Sequence, residues 1–208
     1  MKKLALFILV LITTGCAGGW KYSGRYNISL SSVERPKDSQ IQFGETKIVD
    51  LTVNDEQKYS YADSLIDVIW IVNQNHIGFI LQNNSNHSTT IPWDEVVYVN
   101  VNGQSSRVIH NGIKYIDMNQ PQAPTLVAKH SSITDAIFPV INIHNAPYVG
   151  WQHDALLPIY GKDKVALTNA AQEYIGKSLR IVMPLIITGV TNEYTFVFGI
   201  NGFSLNNR

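Results

Sequence analysis

The sequence predicts a mainly β fold, an antiparallel β-sandwich with one short helix near the C-terminal third. Three observations lead there. Isoleucine and valine together number 42 against 15 leucines and 11 alanines, and β-branched side chains pack well on a pleated sheet while losing χ1 freedom in a helix. Short apolar runs alternate with Gly-, Asn- and Pro-rich punctuation, the pattern of successive antiparallel strands. A single stretch, Asp163 to Ile175, carries apolar residues at helical spacing.

From the N-terminus, Met1-Lys2-Lys3 is a short cationic segment, Leu4 to Ile12 is an unbroken apolar run, and Thr13-Thr14-Gly15-Cys16 follows. A bilayer-spanning helix needs roughly 20 apolar residues, so this run is too short to span and reads as a signal-peptide core. Ala17 to Phe43 is broken by Gly18, Gly19, Gly24, Ser31, Ser32 and Pro36, with only Tyr22, Tyr26, Ile28 and Leu30 alternating. Residues 16–43 read as a tether, with a short edge strand as the alternative. The folded domain then covers residues 44–208.

Within it, Lys47 to Val53 alternates as a strand. Ile66 to Val72 and Ile77 to Leu81 flank Asn73-Gln74-Asn75-His76, a hairpin turn. After the turn cluster Asn83 to Ser88, the run Val96 to Val101 meets Asn102-Gly103 and returns through Ser106 to His110. Ser131 to Val140, Ser178 to Thr188 and Glu193 to Ile200 complete the strands, the last two joined by a turn at Gly189 to Asn192. The helix places Leu167, Ala171, Tyr174 and Ile175 on one face and has Gly176 at its end. Asn119 to Pro124 and Asn145 to Gly161 are too rich in Pro, Gly and Asn to be central strands.

Composition narrows the function. Sixteen Lys and Arg balance 16 Asp and Glu, so the basic footprint that neutralises nucleic-acid phosphates is missing. One cysteine excludes an internal disulfide and a four-cysteine zinc site. Its position is more telling: cationic segment, apolar run and Thr14-Gly15-Cys16 resemble a bacterial lipoprotein signal peptide ending in a lipobox, with Thr13 standing where such signals carry leucine. The resemblance implies cleavage after residue 15 and fatty acylation of Cys16. Ala17 implies sorting to the outer membrane, on either its periplasmic or its surface face. Several acyl chains hold a protein to a membrane far more firmly than one.

Leu81-Gln-Asn-Asn-Ser85, Trp93-Asp-Glu95, the run Arg107 to Tyr115, Met183-Pro-Leu185 and Asn192 to Phe198 together resemble a group of uncharacterised bacterial lipoproteins with an immunoglobulin-like β-sandwich. The likeness spans about residues 45 to 200. It implies that fold and membrane anchoring, and no mechanism.

Candidate chemistry is sparse. Six histidines are scattered singly, without an H-E-x-x-H or an i, i+4 pair, so no metal site is predicted. Trp151-Gln-His153-Asp154 is the nearest to a constellation: imidazole and carboxylate could bind metal or serve as base and orienter of an envelope hydrolase. Asp94 and Glu95 are neighbours on a strand and point to opposite faces, which spoils them as a glycosidase pair; Trp93 is expected in the core with a carboxylate bonded to backbone or to Arg107. No nucleophile elbow or phosphate-binding glycine loop is present, and no cofactor is predicted. Tyr148, Trp151 and Tyr160, with His153 and Asp154, form a candidate binding loop, because loop aromatics give large contact area with a polar handle. The expectation is a non-catalytic, lipid-anchored module that binds an envelope protein or a glycan, with a hydrolase using His153 and Asp154 as the alternative.

Overall fold

The computed structural model describes residues 19–34, 47–53 and 56–206. The signal segment at residues 1–15 and the lipidation site Cys16 lie outside the described residues. Along the chain come β1 (Tyr22–Glu34), β2 (Lys47–Val53), β3 (Glu56–Ala62), β4 (Ile66–Val72), β5 (Ile77–Asn83), β6 (Thr89–Ile91), β7 (Val97–Val99), β8 (Ser105–His110), β9 (Thr125–Val127) and β10 (Ser132–Pro139). Then follow β11 (Ile143–Ala146), β12 (Gly150–His153), β13 (Tyr160–Gly161), α1 (Lys164–Gln172), β14 (Ser178–Ile187) and β15 (Val190–Leu205).

Over the described residues the protein is mainly β and antiparallel with one α-helix, and its main sheet curls into a half-barrel. Strand order is β13-β1-β15-β14-β7-β8-β10-β5-β4-β3-β2, with β6 branching from β14 and carrying β9, while β11 and β12 form a separate hairpin. The curl brings the β3–β5 part of the sheet over β15. Tyr61 meets Tyr194 and Phe196 at ring-centroid distances of 6.0 and 5.7 Å, and Trp70 meets Phe196 at 4.7 Å and Phe198 at 5.6 Å. These rings are fully buried, and truncating one such as Trp70 to alanine would cost about 3–5 kcal/mol.

Turn chemistry fixes the register locally. Ile187 pairs with Val190, so β14 and β15 are joined by Thr188 and Gly189 alone, both at positive φ (50° and 76°), the backbone of a tight type I′ hairpin. The 73–76 turn is closed by the Asn73 N–H donating to the His76 carbonyl at 2.9 Å. Pro184, buried within β14, falls between the residues that pair with β7 (Arg180–Val182) and those that pair with β6 (Ile186, Ile187). On that edge a proline costs no ladder hydrogen bond. Helix α1 is shorter than the pattern suggested: Asp163 caps it by accepting the Ala166 N–H at 2.7 Å, and after Gln172 the bonds tighten to i→i+3 until Gly176 at φ 85°.

The tether expectation needs correction over residues 22–34, which are strand β1, paired with β13 at Tyr22 and Ser23 and with β15 from Gly24 to Glu34. The serines that break its alternation are accommodated by register shifts. Leu30 faces Phe198 and Ser32 faces Val197, leaving Ser31 bulged, and Asn201 of β15 is skipped in the same way. Tyr26, Ile28 and Leu30 thereby all stay in the core.

Candidate functional site

The candidate binding loop resolves into the β11–β12 hairpin, and β-sheet alternation divides its residues. Ile143 pairs with His153 and Asn145 with Trp151. The tip is Pro147-Tyr148-Val149; Tyr148 takes φ 63° and Gly150 φ 87°, and Tyr148 projects fully into solvent with Val149 largely exposed beside it.

Trp151 and His153 seat the hairpin on the body. Tyr115 lies edge-on to Trp151 at 6.4 Å and to His153 at 6.0 Å, Phe138 lies 5.5 Å from His153, and His76 stacks on Phe138 at 5.1 Å. This makes one aromatic row from the hairpin to the β4–β5 turn. The Tyr115 hydroxyl is 3.5 Å from His153 Nδ1, whereas His153 Nε2 is buried without a hydrogen-bond partner among the described residues. Burial, then the neighbouring His76, pushes the His153 pKa below its ordinary value, with Asp154 opposing. Burial lowers His76 too. Its Nε2 accepts from the Asn73 side-chain amide at 3.1 Å, so its Nδ1–H donates to Asn75 Oδ1 at 2.9 Å.

Asp154 does not complete a dyad with His153. Its carboxylate pairs with His144 Nδ1 at 3.3 Å on the exposed side of the hairpin. A buried His–Asp pair lies elsewhere: His110 Nδ1 is 3.1 Å from Asp135 Oδ2, while Asp135 Oδ1 accepts the N–H groups of Asn111 and Ala136. His110 stacks at 4.3 Å on Trp93, whose indole N–H donates to Thr125 Oγ1 at 2.8 Å. Nothing in the sequence links His110 with Asp135, which sit on different strands and meet only through the sheet. Among the described residues no group of three or more His, Cys, Asp or Glu could hold a metal ion.

Trp93 is in the core as expected, and Asp94 accepts hydrogen bonds from Arg107 and from the Gln122 N–H, so this cluster braces a loop. Tyr160 leaves the hairpin group altogether. It lies on β13 opposite Ser23, its hydroxyl donating to Gln74 Oε1 at 3.3 Å. Beside it, a cleft of about 320 Å³ opens between β1 (Gly24 to Ile28), the turn at Asn73 and Gln74, and Leu156 to Ile159. Tyr26 forms one wall; burial pushes its phenol up to about 12, and its hydroxyl donates to the Pro158 carbonyl at 3.1 Å.

The residues missed by sequence reasoning are Tyr115, Phe138 and His76. Each comes from a different, distant segment, and no local signal marks them. The arrangement offers exposed aromatic surface on a supported hairpin, which suits contact with another molecule. Comparison of the chain with protein-family models, curated proteins and solved structures returns no match.

Proposed function

We propose that this chain is a lipid-anchored lipoprotein of the bacterial outer membrane whose β-domain acts as a binding or assembly module rather than a catalyst. On this reading the halves of the curled sheet are the layers of an immunoglobulin-like sandwich, in keeping with the rings of Tyr61 and Trp70 packing against those of Tyr194, Phe196 and Phe198. The anchor is Cys16, and the contact with an envelope protein or glycan is made by the hairpin tip.

The observation that carries the proposal is Tyr148 and Val149 held outward on a hairpin that Trp151 and His153 fix to the body. Rigid, exposed aromatics lose little entropy on binding and dominate interface energetics. A hydrolase has less support, since Asp154 is committed to His144 and not to His153.

The test is a photo-crosslinking residue at Tyr148 in the full chain expressed in its native envelope. It should yield a discrete adduct that a Trp151→Ala change diminishes, while the same probe at exposed Asn169 gives none. Equal adducts from both positions would reject the hairpin as the contact. The anchor is tested separately by Cys16→Ser: loss from the membrane fraction together with loss of acyl mass is expected. Retention of the variant in the membrane fraction, with no acyl mass on the wild type, would reject lipidation.

A further inference from the structure

The chain enters the sheet at Tyr22, six residues after Cys16, and the surface there carries exposed aromatic and apolar side chains. Trp20 is 64% exposed, Tyr22 40%, Tyr160 46% and Val165 65%. The fold gathers them at one edge of the sheet, with Tyr22 and Tyr160 on opposite faces of that edge. Tyr22 lies opposite Gly161 and Ser23 opposite Tyr160, the Lys21 N–H donates to the Gly161 carbonyl at 3.1 Å, and Gly161 packs so tightly against Leu167 that a Cβ there would come within 2.9 Å. That contact brings the start of α1, with Lys164 and Val165, onto the same rim.

Lys21, Arg25, Lys162 and Lys164 all stand on this rim, exposed, and none forms an ion pair among the described residues. Asp163 is the one acid interleaved with them, and its carboxylate caps α1. Half-exposed Trp and Tyr rings interspersed with exposed cations match the requirements of a lipid headgroup layer. There, amphipathic rings settle at the interface and lysine stems lie along apolar surface with their charge on phosphate.

We propose that this rim docks against an anionic lipid surface, with Trp20, Tyr22 and Tyr160 at headgroup level and Lys21, Arg25, Lys162 and Lys164 on the headgroup phosphates. The proposal rests on the lipid anchor at Cys16. With β1 beginning at Tyr22, the chain from Cys16 to Trp20 spans at most roughly 14 Å even when fully extended. An acylated Cys16 therefore holds this rim, rather than any other part of the domain, against the headgroups.

The experiment uses the full lipidated chain with Trp151→Phe, which removes the other exposed indole and leaves Trp70 and Trp93 buried as a constant background. The protein is reconstituted into vesicles of phosphatidylcholine alone or of phosphatidylcholine with phosphatidylglycerol, each carrying brominated acyl chains that quench indole fluorescence. Trp20 should be quenched in the anionic vesicles and released by high salt. The triple change Lys21→Gln, Lys162→Gln and Lys164→Gln should lower the ratio of docked to undocked domain by roughly 100-fold, from about five-fold for each lysine near an anionic surface. Circular dichroism of the triple variant checks that these exposed changes leave the fold intact.

Equal quenching in both vesicle types, unmoved by the triple change, would overturn the proposal. Absence of acyl mass on the wild type would instead reject the anchor. Co-sedimentation of the same full chain with phosphatidylglycerol vesicles then tests the rim alone: weaker binding of the triple variant supports it, and equal binding overturns it.

Discussion

Asn83 is fully buried at the end of β5, and replacing it isolates the energetic meaning of the Leu81-x-Asn83-x-Ser85 signature. Its side-chain amide donates to the carbonyls of His87, Val127 and Ala128 at 2.8, 3.1 and 3.2 Å, and its Oδ1 accepts from the N–H and hydroxyl of Ser85 at 3.0 and 2.7 Å. An alanine removes all five bonds, but the partners do not lose equally. The His87 carbonyl keeps the Ser85 hydroxyl, and the Ala128 carbonyl keeps both the N–H and the hydroxyl of Ser131. The Ser85 N–H and the Val127 carbonyl are the groups left poorer. At about 1–3 kcal/mol for each of these two buried groups deprived of its partner, Asn83→Ala should cost about 2–6 kcal/mol. Asn83→Asp keeps the acceptor side for Ser85 but turns a carboxylate oxygen toward three carbonyls. It should cost at least as much as alanine at neutral pH, with the gap narrowing as acid protonates the carboxyl. Urea unfolding of the three proteins, with unchanged m-values, reads these differences directly. A cost below about 1 kcal/mol for alanine, or an aspartate variant as stable as wild type at neutral pH, would refute the view that this amide ties β5 to the end of β9.

Tyr98 is fully buried, its hydroxyl has no hydrogen-bond partner among the described residues, and burial raises its pKa; Tyr98→Phe should therefore be neutral or stabilising by up to about 1 kcal/mol, and a clear loss in the urea midpoint would show a partner. Stability should also fall on acidification. His76 and His153 have folded-state pKa values below the ordinary one, so the unfolded chain takes up protons first. Stability is complete above about pH 6.5 and declines below it. Urea midpoints measured between pH 8 and pH 5 check this, and His153→Leu should flatten the slope; a slope unchanged by the variant would place the titrating group elsewhere.

What could be read locally in the sequence was read well. The strands β4, β5, β8 and β14 and the turn at 73–76 follow from period-2 burial and turn chemistry, both encoded within a few residues, whereas the turn expected over Gly189 to Asn192 falls at Thr188 and Gly189, Val190 to Asn192 already pairing with β14. Of the regions too rich in Pro, Gly and Asn for central strands, residues 119–124 hold no strand, β11 and β12 form their own hairpin, and only the two-residue edge strand β13 joins the main sheet. Strand β1 was obscured because its support is not local: Tyr26 is matched to Phe203 and Leu30 to Phe198, residues at the other end of the chain, and its bulge at Ser31 ends the alternation carried by Tyr26, Ile28 and Leu30. The curl of the sheet was hidden for the same reason. It depends on Tyr61 and Trp70 finding Tyr194, Phe196 and Phe198, and nothing near residue 70 announces what lies near residue 196.

The candidate site shows how contiguity in sequence misleads in a β protein. Tyr148, Trp151, His153, Asp154 and Tyr160 read as one group because they fall within a short span. The hairpin instead sets half-buried His153 and one edge of the exposed Trp151 ring against Tyr115, while Asp154, just past the end of β12, pairs with His144 on the exposed side. The segment from Ala155 to Ile159 carries Tyr160 away to β1, where it joins Trp20 and Tyr22 instead of the hairpin. One linear cluster thus becomes two separate aromatic surfaces, the hairpin tip and the rim at the start of β1. A substitution at Tyr160 should therefore leave hairpin crosslinking untouched and affect only the rim, whereas a single loop site would couple the two.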